Sequence, residues 1–81
     1  MKEKKIRLTT LEDAKEFVKE AMKCDFDIDI YYNRVVIDAK SILGVLSLDL
    51  TKVLTVRMYG DNAAFDAYLE RLAADAVKQI A

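Results

Sequence analysis

Histidine is absent from this chain of 81 residues. That removes the side chain most often used as a general base near neutral pH, and the commonest metal ligand. Cys24 is the only cysteine. It can form neither an intrachain disulfide nor a thiolate metal site, and a lone thiol fits a reducing cytoplasm. Gly44 and Gly60 are the only glycines, too few for a phosphate-cradling loop of the P-loop or dinucleotide-binding kind. Proline is missing altogether. No apolar run approaches a membrane span, and no secretory signal pattern is present. The net charge is −1, with acids and bases interspersed, so no basic face is set out for nucleic acid.

What remains reads as one small packed domain over residues 1–81. Apolar residues make up 53% of the chain, which suits a core and argues against disorder. In KKIRL, Ile6 and Leu8 share one face of a first strand. Thr9 or Thr10 offers a helix cap, Glu12 and Asp13 match the helix dipole, and a helix over Leu11–Lys23 puts Leu11, Ala14, Phe17, Val18, Ala21 and Met22 on one side. In DFDIDI, Phe26, Ile28 and Ile30 alternate with Asp25, Asp27 and Asp29, giving one buried and one wet face. YYNR is a hairpin turn with Asn33 at its tip, and Val35, Ile37 and Ala39 return along the core side. A short helix follows from Ser41. The strand VLTVRMY then points Leu54, Val56 and Met58 inward. Gly60, Asp61 and Asn62 lead into a last helix with a stripe of Phe65, Tyr68, Leu69, Leu72, Ala76 and Ile80. The order β-α-β-β-α-β-α, with one wet sheet face, predicts an α+β open-faced sandwich: a four-stranded antiparallel sheet with helices on one side.

The segment after Asp38 asks for an explanation of its own. Ile42, Leu43, Val45, Leu46, Leu48 and Leu50 crowd into nine residues with little polar relief. A helix of about two turns buries a single stripe. Val45, Leu48 and Leu50 are enough to fill it, which leaves Ile42, Leu43 and Leu46 over.

The run YNRVVIDAKSILGVLSL, together with EFVKEA in the first helix, resembles HPr, the small phosphocarrier of the bacterial sugar phosphotransferase system. The resemblance covers nearly the whole chain, most firmly residues 26–50, and implies a sheet order of 1-4-2-3. It implies that Ser41 stands at the position where a regulatory kinase phosphorylates HPr in many Gram-positive bacteria, and that Ile42, Leu43 and Leu46 match the apolar patch shown to partners. The departures are equally specific. HPr carries phosphate on a histidine in an N-x-x-G-L-H-x-R-P-A loop; here the region reads RLTTLEDAKEF and is shorter. Aligning EFVKEA puts Thr10 at the histidine position, Glu12 at the arginine and Asp13 at the proline. A cation that steadies phosphohistidine has become an acid.

Each candidate residue therefore has two readings. Thr10 could accept phosphate, but a threonine ester lacks the transfer potential of a phosphoimidazole; as a plain cap it needs no further role. Ser41 is a cap, and a helix N-terminus also suits a phosphate. Ile42, Leu43 and Leu46 are either core or contact surface, whether for another protein or for a second copy. Asp25, Asp27 and Asp29 step by roughly 7 Å along a strand, wide for a shared ion, and Arg7 and Arg57 are available to balance them. Cys24 reads as a partly buried helix-end residue.

The expectation is a non-catalytic, HPr-like cytoplasmic module with no cofactor and no metal, presenting the Ser41 helix to a protein partner or to itself, without nucleic acid or membrane. The alternatives are a phosphocarrier component by homology and a structural or oligomerising domain.

Overall fold

A computed structural model describes residues 2–73. The elements are β1 (Lys2–Ile6), α1 (Leu11–Met22), β2 (Ile28–Tyr32), β3 (Val35–Asp38), α2 (Ile42–Leu46), β4 (Leu54–Met58) and α3 (Ala63–Leu72). The four strands form one antiparallel sheet in the order β1-β4-β2-β3, the order the resemblance implied. Among the described residues no helix is long and apolar enough to cross a membrane.

The alternation in the two central strands decides what is inside. Ile28 and Ile30 of β2, and Leu54, Val56 and Met58 of β4, are buried under the helices. Their cross-strand pairs, Ile28 with Met58 and Ile30 with Val56, set the register, since a slip of one residue would turn both rows outward. From above, α1 contributes Ala14, Phe17, Val18 and Ala21, and α3 contributes Phe65, Tyr68 and Leu69. Phe17 and Phe65 meet across the two helices with ring centroids 6.1 Å apart.

Several sequence expectations need correction. The second strand begins only at Ile28, and Phe26 before it is half-buried beneath Gly60, where an added Cβ would lie 2.5 Å from the ring. Val35 does not face the core: it is 49% exposed, because β3 is an edge strand and the helices do not reach its first residue. Leu11 and Met22, at the two ends of α1, are exposed rather than part of its buried stripe. Lys23 is the C-cap of that helix rather than its last turn. Ala76 and Ile80 lie outside the described residues.

Helix α2 sits against β3 because residue 44 has no side chain. A Cβ at Gly44 would lie 2.6 Å from Cγ2 of Ile37 and 3.2 Å from Oγ of Ser41. Two effects compete in Gly44→Ala. Helix propensity gains about 1 kcal/mol, while forcing a methyl into a filled contact costs about 1–3 kcal/mol. Because the obstructing atom is a branch methyl near the β3 backbone, the second effect is expected to win. Urea denaturation should show Gly44→Ala net destabilised, and adding Ile37→Ala should recover part of the loss. A more stable single variant would show that α2 is free to lift from β3.

Candidate functional site

The two helix starts singled out by the sequence are both capped by their own hydroxyl residues. Ser41 has extended backbone, and its Oγ accepts the Gly44 N–H at 3.2 Å. Thr10 is likewise extended, and its Oγ1 accepts the Asp13 N–H at 3.0 Å. Asp13 answers in the other direction: its carboxylate accepts the Thr9 hydroxyl at 2.8 Å and the Thr9 N–H at 3.2 Å. The start of α1 is thus a closed reciprocal cap, close in logic to a capping box. The Thr9 hydroxyl holds the Asp13 carboxyl below its ordinary range; burial opposes it, and the Thr9 and Thr10 amides add to the lowering. Glu12 and Asp13 put negative charge on this end of the helix, which opposes a phosphate on Thr10.

Across the same face, α1 and α2 lie side by side. The structure places the three residues of the expected patch differently. Leu43 is 80% exposed and Ile42 36% exposed, while Leu46 is half-buried and packs on the core. Val45 and Leu48 are buried and Leu50 is half-buried, so the stripe that the sequence assigned to the sheet does lie there. The apolar surface instead continues onto α1 through Met22, which is 64% exposed. Sequence periodicity hid this residue by placing it with the core stripe; the signal was its position in the last turn of α1, four residues after Val18.

Ile42 and Met22, with Val18 at the base, line an open groove fringed by Lys15, Lys19, Lys23 and Lys40. Lys15 and Lys23 are within reach of Glu12 (3.6 Å) and Glu20 (3.0 Å) on the same helix. Lys40 extends its ammonium to the Cys24 carbonyl at 2.9 Å, satisfying an acceptor just past α1 and tying the α2 approach to the end of α1. Cys24 itself is buried, and burial pushes its thiol up from the ordinary range, which disfavours the thiolate.

The carboxylates of DFDIDI do not gather. Asp25 and Asp27 precede β2, and only Asp29 is in the strand. Among the described residues no group of three acidic or cysteine side chains could hold a metal ion. Arg57 stands directly opposite Asp29, but neither arginine forms an ion pair with these aspartates among the described residues. Arg57 pairs with Glu3 at 2.9 Å and lies over the Tyr31 ring at 4.9 Å, and Arg7 donates to the Thr51 carbonyl at 3.3 Å. Asp29 accepts the Tyr59 hydroxyl at 3.3 Å.

The Asp13 cap carries a pH signature. A carboxyl whose folded pKa is depressed contributes stability above its unfolded pKa, near 3.9, and that contribution is lost as pH falls through the folded value. Asp13→Asn should therefore be less stable than the parent by roughly 0.5–1 kcal/mol at pH 7. The gap in urea midpoint should close as pH drops below the carboxylate range. A gap independent of pH would show that the Asp13 charge has no part in the cap.

Comparison with known proteins gives these positions a context. A family model described as the PTS HPr component phosphorylation site matches residues 11–78, opening one residue past Thr10. No curated protein matches the chain in sequence. The fold superposes on HPr-C-His from Thermoanaerobacter tengcongensis with a TM-score of 0.71 at 27% identity, covering 86% of this chain and 92% of that one. It superposes on the phosphocarrier protein HPr from Bacillus anthracis str. Ames with a TM-score of 0.68, covering 88% of this chain and 95% of that one; at 24% identity this second likeness speaks for the fold alone. With the sheet order, the Ser41-capped helix and a match over most of the sequence in agreement, the chain belongs to the PTS-HPr family.

Proposed function

We propose that this chain is a non-catalytic member of its family, an interaction module that offers the α1–α2 face to a protein partner. The observation that carries the reading is Leu43, a leucine 80% exposed on α2 and next in sequence to Ile42, which with Met22 lines the lysine-fringed groove. Exposed apolar surface of this kind in a small protein is contact surface. The fringe asks for a partner with an apolar centre and an acidic rim. Ser41, exposed at the start of the same helix, is the modification site in this reading. A phosphate there would accept from the helix amides while adding negative charge beside Leu43 and Ile42, and so would tune the contact.

The absence of relay chemistry rests on composition and on the cap. The chain has no histidine, Thr10 stands at the matching position, and Glu12 and Asp13 surround it with negative charge. A threonine phosphate, if formed, is a stable ester with no capacity to pass phosphate on to sugar. Incubation with the first enzyme of the phosphotransferase relay and radiolabelled phosphoenolpyruvate should leave no acid-labile phosphate on the chain. Recovery of a phosphoprotein that donates to a sugar-specific acceptor would sink this part of the reading.

The contact surface has its own test. Leu43→Ser should shift the unfolding free energy by no more than about 0.5 kcal/mol, as surface changes do. It should also weaken capture of the partner, read by titration against the phosphotransferase proteins of the same cell. A loss of about 2–5 kcal/mol, the size of a buried large-to-small change, would place Leu43 in the core and remove the basis of the reading.

A further inference from the structure

The two edges of the sheet are built differently. Strand β1 carries Lys2, Lys4 and Lys5, and Lys2 and Lys4 fold back onto Asp61, Asp66 and Glu70. Lysines of this kind blunt an edge against pairing. Strand β3 has no such guard. It reads VVID, follows Arg34, and leaves Val35 49% and Val36 56% exposed.

The backbone of β3 has an open side. Tyr32 and Val35 close a two-residue turn, with Asn33 at φ 57°, and Ala39 donates its N–H to the Ile28 carbonyl at 2.9 Å. Residues 35, 37 and 39 therefore aim their amide groups at β2, and Val36 and Asp38 aim theirs away from the sheet. The wet-face side chains of β3 are Val36 and Asp38, and Arg34 precedes them, exposed, in the turn. Asp38 lies directly opposite Asp29 on β2; Asp29 has Arg57 opposite it on β4 and accepts the Tyr59 hydroxyl, whereas Asp38 makes no ion pair among the described residues. Arg34 makes no ion pair among the described residues.

We infer that β3 is a self-complementary edge whose occupant is a second copy of this chain, paired antiparallel about Val36. In that register each Val36 N–H donates to the other copy's Val36 carbonyl. Arg34 stands opposite Asp38 of the second copy on both sides of the twofold, and Val36 meets Val36. On the helix side, Val35 meets Ile37. Arg34 thereby supplies the opposite charge that Asp38 lacks within its own chain. The sequence RVVID carries opposite charges at equal distances from its central valine, which is the charge pattern such a twofold needs. This surface is separate from the α1–α2 face.

The test is sedimentation equilibrium of the full chain at low salt from about 10 µM to 1 mM, with the Val36 amide followed by NMR over the same dilution. A dimer is expected, with the Val36 amide resonance moving with concentration. Val36→Lys should raise the dissociation constant at least about tenfold, and Arg34→Glu or Asp38→Lys should each raise it several-fold, about 5 or more. Mixing Arg34→Glu with Asp38→Lys should restore association, because only the heterodimer places opposite charges together at both ends. Asp38 Oδ1 also accepts the Lys40 N–H at 2.9 Å, so circular dichroism checks that Asp38→Lys folds; should it not fold, Val36→Lys, Arg34→Glu and the amide shift carry the test. A monomer at every concentration overturns the inference. So does a dimer indifferent to Val36→Lys and Arg34→Glu.

Discussion

A sheet of four strands in so short a chain is covered by helices on one face only, and every other feature follows from that constraint. The covered side needs two central strands with apolar residues at every second position, which Ile28, Ile30, Leu54, Val56 and Met58 supply. The open side is left to charge and hydroxyl groups, held by Glu3, Arg57 and Tyr31 as one connected group. The edges are left to β1 and β3, and only the first is blunted by lysines.

The same constraint makes α2 an unusual element. With five residues it cannot sustain itself by its own hydrogen bonds, because nucleation of so short a helix is unfavourable. It exists because Ser41 caps it, Val45 is buried below it, and Gly44 allows it to touch Ile37. A helix held so close by one small residue has its far side lifted into solvent. Leu43 stands there, and the end of α1 brings Met22 to the same surface. The exposed apolar strip and the glycine contact are two consequences of one packing arrangement.

Family membership and the missing histidine are reconciled at the start of α1. The family match begins at Leu11, and the residues just before it form a closed cap of Thr9, Thr10 and Asp13. A loop that must cradle a phosphate needs free amides and a nearby cation. Here the Thr9 and Asp13 amides are bonded within the cap, and Glu12 and Asp13 are acids. The family fold is kept, and the segment before α1 holds a reciprocal cap and no histidine.

Period and capping residues made much of this legible in the sequence. Alternation placed Ile28, Ile30, Val56 and Met58 inward, helical spacing placed Phe17 and Phe65 in the core, and Thr10 and Ser41 announced their helices, because these signals act over a few residues of chain. Absence of histidine was equally plain. What tertiary structure decided was anything set by neighbours distant in sequence. Val35 is exposed because β3 lies at the edge, Arg57 turns to Glu3 because β1 inserts beside β4, and Leu46 is half-buried while Met22 is not because α1 and α2 meet where they do. A strand's period says which residues share a face, but only the order of strands and the reach of the helices say which of those faces water still touches.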